Sequence, residues 1–547
     1  MADKQAKPNL KSRRTSSKRS RTGCRTCRAR HLKCDESPGA CQNCTSTGRT
    51  CDGYDLYRLP IATTKIAKTR ITPALVDGLR WVMTSDERRC FSHFQHHTIP
   101  TLLALYDSLL WQKLVMQMSY SEPAVYHATN ALSAIHQDIE ANGIPLPGQD
   151  VDSPWHLFAL EQSNRAISFL TIRHATSDPH LQTVVLLCCL LFVMQELLCG
   201  HYDSAYKHLQ SGVRILRDLK ADIQLINGSE TKSPFDKCLV GTFLHLDSQL
   251  KYGGVGGPLS SLDRELEYTP DESQDIYGEY NSLQEVRHAF SCLMRRHFRF
   301  LSRTQELSAE DIKSNYEALH LKQQQILSQL YRVAWKLEAF SARSYTQLTE
   351  KDQRGLDMID LALKSITLGA RRCFIRSNSL VKLYTPEYDA LVSEIEDVMC
   401  KLPDRPSMVL DVGVIIPLYY VALGCNDYGV RRRAIRLLRS WPHFEGAFDS
   451  NMVALVAEEL IEAEKMMEEE YQPERCKSED QMEPRASEER QTQITGDIHS
   501  KRWPTAGQNT YSLDDCLKTN NCLESWPCIQ RVSLTRCMIS QGCVDQK

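Results

Sequence analysis

Six cysteines near the start of the chain carry the chemistry that is easiest to name. Cys24, Cys27 and Cys34 stand in "CRTCRARHLKC", and Cys41, Cys44 and Cys51 in "CQNCTSTGRTC", two copies of one C-x2-C-x6-C spacing. Structural zinc takes four ligands in a tetrahedron, with thiolate sulfur at about 2.3 Å. A C-x2-C pair brings two sulfurs from one tight turn to one ion. A third cysteine six residues later returns to that ion if the intervening residues form a short helix. Each copy then supplies three ligands, one short of closing a site. Two ions are both closed if one sulfur from each copy bridges them, and the cluster then carries a net charge of about −2. The Arg and Lys side chains around it help to offset that charge.

The compartment supports metal rather than disulfides. The chain has 21 cysteines, but its N-terminus is polar and charged and has no apolar h-region of a secretory signal. In a reducing compartment clustered cysteines bind metal in preference to pairing. The run "VVLLCCLLFVM" at Val184–Met194 is too short to span a bilayer and reads as a buried helix.

Charge is distributed unevenly. The formal net charge is −2, yet residues 1–51 hold thirteen Lys and Arg against Asp3, Asp35 and Glu36. This segment is therefore about +10 and the remainder about −12, which points to nucleic acid as a partner. The two cysteine copies share in this unequally. Arg28, Ala29, Arg30, His31, Leu32 and Lys33 separate Cys27 from Cys34, whereas Thr45, Ser46, Thr47, Gly48, Arg49 and Thr50 separate Cys44 from Cys51. Phosphate binding needs cations, and base reading needs directional donors at the groove edge. Only the first copy has that chemistry.

On these residues, Gly23–Cys51 resembles the fungal zinc binuclear cluster family of transcription factors. The resemblance implies two Zn(2+) ions, with Cys24 and Cys41 as bridging sulfurs. Cys27 and Cys34 would complete one site, and Cys44 and Cys51 the other. It further implies that Arg30 and His31 contact bases of a CGG-like triplet in the major groove, since guanine offers O6 and N7 acceptors. Arg28 and Lys33 would then hold phosphates, with Arg49 a further phosphate contact. His31 is a weaker donor than a lysine there, one N–H against three. Pro38 departs from the family pattern, three residues before Cys41 instead of two.

The rest of the chain must hold these residues in place. "KSRRTSSKRSR" at Lys11–Arg21 is a basic run without apolar periodicity, read as a nuclear localisation signal or a phosphate-binding arm. Residues 52–70 contain Gly53 and Pro60 and no heptad seam, so a coiled coil is not expected there. From about Thr72 to Tyr471, apolar residues recur at i, i+3, i+4 and i+7. Segments Ser233–Leu250 and Leu410–Ser450 resemble the helical regulatory domain of the same fungal factors. Within them the arginine run Arg431–Arg433 is followed by Arg436 and Arg439, which share the helix with Ile435, Leu437 and Leu438, an amphipathic scaffold pattern. A helix ending near Gly200 followed by "YDSAYKHLQSGVRILRDL" reads as a hairpin, in which Ala205 and Gly212 let the helices approach closely. "GGVGGP" at Gly253–Pro258 lacks the order of a phosphate loop and reads as a flexible loop.

The expected architecture is all-α: a disordered basic arm over 1–19, the cluster over 20–55, a linker over 56–71, a helical regulatory domain over 72–471 and a disordered tail over 472–547. The expected function is a nuclear, sequence-specific DNA-binding transcription regulator, not an enzyme: G-x-S-x-G, H-E-x-x-H and phosphate-loop patterns are absent. Its expected partners are double-stranded DNA and the transcription machinery, with no membrane. Any homodimer is expected to form through the helical region. The alternative is a cluster that docks protein or RNA instead of DNA.

Overall fold

A computed structural model describes residues 22–54 except 38, residues 59, 81, 83–145, 153–174, 181–218 and 234–252, and residues 278–475 except 306, 376, 377 and 403. The arm over 1–19, nearly all of the linker, Pro38, the 253–258 loop and the chain beyond 475 lie outside them. The chain divides into two compact units, Met1–His93 and Phe94–Lys547.

In the first unit, helices α1 (Arg25–Ala29) and α2 (Gln42–Thr45) follow the first cysteine of each copy. The hydrophobic cluster between them consists of Cys24, Cys27, Cys34, Cys41 and Cys44, with Cys51 and Tyr54 packed against it. A core of sulfur instead of aliphatic side chains is what a metal-organised module requires. Helix α3 (Ser85–His93) opens with a capping box. Thr84 Oγ1 accepts the Glu87 N–H at 3.2 Å, and Glu87 Oε2 accepts the Thr84 N–H at 2.8 Å. The other Glu87 oxygen takes the buried Arg25 guanidinium. Arg25, one of the thirteen cations, is thus paired within the chain.

The second unit is helical, as expected. Pro123 starts and Gly143 ends α4 (Pro123–Asn142), which is buried along nearly its whole length. It packs against α5 (Pro154–His174) and α6 (Leu181–Leu198). Two of its buried histidines find partners: His127 Nδ1 meets Gln162 Oε1 at 2.7 Å, and His136 lies between Thr98 Oγ1 and Ser407 Oγ at 3.0 and 2.8 Å. Helix α6 differs from the expectation in one respect. With its flanking residues it is 18 residues long, enough by length and composition to cross a membrane, but it is largely buried inside the unit against α4 and α7 (Tyr202–Asp218).

The hairpin of α6 and α7 forms where the sequence places it. Gly200 takes φ +75°, and His201 N donates to Glu196 O at 2.8 Å. Gly212 serves a contact that the sequence does not announce. A Cβ there would lie 2.2 Å from Cε1 of Phe243, a fully buried ring on α8 (Pro234–Tyr252). The small residue therefore makes room for the ring of a third helix. Gly212→Ala is expected to cost about 1–3 kcal/mol by overpacking, read as a lower urea midpoint of the full chain. An unchanged midpoint would show that Phe243 moves aside freely.

Helices α9 (Leu283–Gln305), α10 (Tyr316–Ser344), α11 (Glu350–Arg372), α12 (Thr385–Cys400), α13 (Ile415–Gly424), α14 (Tyr428–Ser440) and α15 (Ser450–Arg475) share one large apolar core. Arg431–Arg433 and Arg439 lie on α14, as the amphipathic pattern predicts. Arg431 is buried, donates to Ala422 O at 2.8 Å and pairs with Glu464. Arg433 pairs with Glu396 and Asp389, and Arg439 with Glu458. These guanidiniums and the acidic face of α15 join helices together.

One part of this region is not helical. β1 (Met408–Val409) pairs in parallel with β2 (Phe444–Glu445), which turns through Gly446 into antiparallel β3 (Phe448–Asp449). Glu445 is fully buried on β2. Its carboxylate accepts the N–H groups of Gly413, Val414 and Ile415 at 2.9, 2.6 and 3.1 Å, closing the N-terminus of α13. His443 Nε2 is 2.8 Å from the same carboxylate.

Candidate metal centre

Each C-x2-C turn places its first cysteine just before a helix and its second within it. Cys27 N donates to Cys24 Sγ at 3.3 Å, so the turn is closed by the first sulfur. The six sulfurs then fall into two sets of four: Cys24, Cys27, Cys34 and Cys41, and Cys24, Cys41, Cys44 and Cys51. Within each set the sulfurs lie within 4.8 Å of one another, and Cys24 and Cys41 belong to both, 3.5 Å apart. Two tetrahedral ions sharing two sulfurs require this donor set.

Backbone N–H groups prepare the sulfurs for negative charge. Cys34 Sγ accepts from Cys24 N at 3.3 Å and Glu36 N at 3.4 Å, and Cys51 Sγ from Cys41 N at 3.4 Å. Burial pushes up the thiols of Cys24, Cys27, Cys34, Cys41 and Cys51, and it prevails at Cys24, Cys27 and Cys41. At Cys34 and Cys51 the backbone donors outweigh burial and hold the thiol below its ordinary value. Metal binding must therefore displace protons from Cys24, Cys27 and Cys41.

Further side chains fasten the two copies, and the cysteine spacing alone does not reveal them. Asp35 accepts Gln42 N at 2.9 Å and Asn43 N at 3.1 Å, capping α2, and these bonds with that from Ser37 hold its carboxyl well below the usual range. Thr26 Oγ1 donates to Asp52 Oδ2 at 2.8 Å, and Tyr54 donates to Ser37 O at 2.6 Å. An acidic residue directly after Cys34 and another directly after Cys51 were the available signals.

The expected DNA-contacting residues are only partly on a helix. Helix α1 ends at Ala29, so Arg28 lies on it, Arg30 caps it and His31 and Lys33 follow it. The short helix of the first copy is therefore one turn, not the whole Cys27–Cys34 interval. It stops because His31 adopts φ +57°, the left-handed region. His31 N donates to Arg28 O at 3.1 Å and Leu32 N to Cys27 O at 2.9 Å. The second copy ends identically: Gly48 takes φ +66°, Gly48 N donates to Thr45 O at 3.1 Å and Arg49 N to Cys44 O at 3.0 Å. Aligning the two cysteine triplets sets His31 opposite Gly48, the signal by which the sequence could have shown this bend. His31, Leu32 and Lys33 are exposed, and Arg28 and Arg30 are half-buried.

Residues 22–58 match the fungal Zn(2)-Cys(6) binuclear cluster domain, a domain that binds two zinc ions, and residues 89–441 match the fungal specific transcription factor domain. The chain is 27% identical over 379 residues to the aspercryptin biosynthesis cluster-specific transcription regulator of Emericella nidulans, covering 64% of this chain and 59% of that protein. It is 25% identical over 206 residues to a transcription regulator of Purpureocillium lilacinum, covering 36% of this chain and 48% of that one. Over 279 residues it is 25% identical to a Zn(2)-C6 fungal-type transcription factor of Aspergillus fumigatus, with 48% and 69% covered. The chain thus spans about half the length of the first two relatives. No solved structure matches it.

Proposed function

Because this chain belongs to the fungal Zn(2)-Cys(6) transcription factors, we propose that it acts in the nucleus by binding double-stranded DNA at CGG-like triplets. In this reading Cys24 and Cys41 bridge two zinc ions, Cys27 and Cys34 complete one site, and Cys44 and Cys51 the other. Arg28 and Lys33 hold phosphates, and Arg30 and His31 meet base edges. The helical unit supplies any dimer contact and the contacts to transcription machinery. Likeness to the aspercryptin cluster regulator makes a biosynthetic gene cluster the first candidate target.

One observation carries the assignment of the DNA-facing edge. The two copies fold alike, down to the left-handed residue that ends each helix. The second copy does so with Thr45, Thr47 and Thr50 at the places of Arg28, Arg30 and Lys33, so the fold does not demand those cations. A non-glycine residue in this conformation costs about 1–2 kcal/mol, and such strain persists where function selects it. An exposed histidine between Arg30 and Lys33 is then explained by an external partner that takes hydrogen bonds and positive charge.

The test separates affinity from specificity. Arg28→Ala and Lys33→Ala are expected to weaken binding to all duplexes and to flatten its salt dependence. Arg30→Ala and His31→Ala are expected to lower preference for the cognate triplet by roughly 1–3 kcal/mol. His31→Gly is expected to lose the same preference while stabilising the zinc-loaded module by about 1 kcal/mol. Equal losses of specific and non-specific binding in all variants would refute this division of roles. Genome-wide binding by the tagged protein in its host gives the motif and the genes together.

A further inference from the structure

Outside the zinc module, α9 carries a thiol set among cations. Cys292 Sγ lies 3.2 Å from Nη2 of Arg295 and 3.8 Å from Nε2 of His288, one helical turn to either side. The neighbouring Leu293, Met294, His297 and Phe298 are buried, but Cys292 and Arg295 are partly exposed and His288 is exposed. The three groups therefore share the outer side of a helix whose inner side is core. Burial pushes the Cys292 thiol up, but the His288 hydrogen bond and the charges of Arg295, His288 and Arg296 outweigh it and hold it at about 7. The same pairing raises His288.

Cys199 provides an internal contrast. Its sulfur also lies 3.8 Å from a histidine nitrogen, Nδ1 of His156. There burial dominates, the charges that act on it are those of Glu196 and Asp138, and the thiol is pushed up. A nearby histidine is thus not sufficient; the guanidinium at 3.2 Å distinguishes Cys292. Burial likewise raises Cys188, Cys189 and Cys238.

We propose that Cys292, with His288 and Arg295, forms a site of oxidation by hydroperoxides in the helical unit. The Cys292 thiolate attacks the terminal, hydrogen-bearing oxygen of the hydroperoxide. An S–O bond forms as the O–O bond breaks, sulfur gives up two electrons and the peroxide is reduced. The leaving oxygen takes a proton from the His288 imidazolium and departs as water or an alcohol. Cys292 is left as a sulfenic acid and His288 as a neutral imidazole. Arg295 stabilises the attacking thiolate and acts as a positioning residue.

The full-length, zinc-loaded protein treated with hydrogen peroxide at neutral pH, with dimedone as the sulfenic acid trap, tests this by site-resolved peptide mass spectrometry. Cys292 is expected to label about tenfold faster than Cys199 or the exposed Cys400, because Arg295 and His288 beside its sulfur stabilise the attacking thiolate. Arg295→Gln and His288→Gln are expected to slow it several-fold, and Arg295→Lys to retain most of the rate. Reading each cysteine separately keeps oxidation of the zinc ligands out of the comparison. Labelling of Cys199 or Cys400 as fast as Cys292 in the unsubstituted protein overturns the proposal without recourse to any variant. So does a rate that neither Arg295→Gln nor His288→Gln changes.

Discussion

Chelation of metal is expected to unfold residues 22–54 while leaving the helical unit intact. Apolar side chains beyond the cysteines are few there: Tyr54 packs on the sulfurs, and Leu32 is exposed. Without metal, six thiols converge and their burial gives little in return. Structural zinc supplies about 10–16 kcal/mol in small modules of this kind, more than the whole stability of an ordinary domain. The prediction is therefore all-or-none. Metal analysis of the full chain is expected to give two zinc ions, and a chelator should abolish amide protection across 22–54 alone. Cys24→Ser and Cys41→Ser, which remove a shared sulfur, are expected to lose both ions. A count of one zinc, or protection that survives chelation, would overturn the bridged arrangement.

The second large effect lies in the helical unit. Glu445→Ala is expected to destabilise it by about 3–5 kcal/mol, the range for breaking a buried, paired charge. The carboxylate is fully buried and serves three backbone N–H groups and His443 at once. Alanine leaves all four without their acceptor at the start of α13, where each buried donor costs about 1–3 kcal/mol unmade. Glu445→Gln keeps the shape and one acceptor but turns an amide toward the donors, so an intermediate loss is expected. Glu396→Ala serves as the comparison. Its partner Arg433 is partly exposed, and such pairs contribute up to about 1 kcal/mol. Urea unfolding of the full chain followed by amide exchange over 405–450 measures all three. The expectation fails if Glu445→Ala costs no more than Glu396→Ala.

Much of the helical unit is legible in the sequence because helix periodicity is local. The run that becomes α6 is plain in the order of residues, as is its stop near Gly200. The small sheet is not legible: each of its strands has two residues, too few to show alternation, and β1 and β2 are joined only across α13 and α14. Residue type also misleads about partners. Gly212 announces a close approach but not which helix makes it, and Arg431–Arg433 announce positive charge but not the carboxylates of α12 and α15 that take it up.

At the candidate site, the six sulfurs, their doubling and the cationic bias of one copy follow from residue order alone. Thiolate spacing and net charge are properties of short stretches, and metal chemistry admits few solutions for them. It took the folded chain to put Cys24 and Cys41 within reach of both sulfur sets, to face Arg25 with Glu87, and to bend the backbone out of its helix at His31. Those outcomes depend on groups separated along the chain and on backbone dihedrals, which residue type biases but does not set. The same holds for Cys292. Its histidine and arginine stand at helical spacing in the sequence, but packing alone decides that this edge of α9 faces outward, where the thiol is open to a reagent.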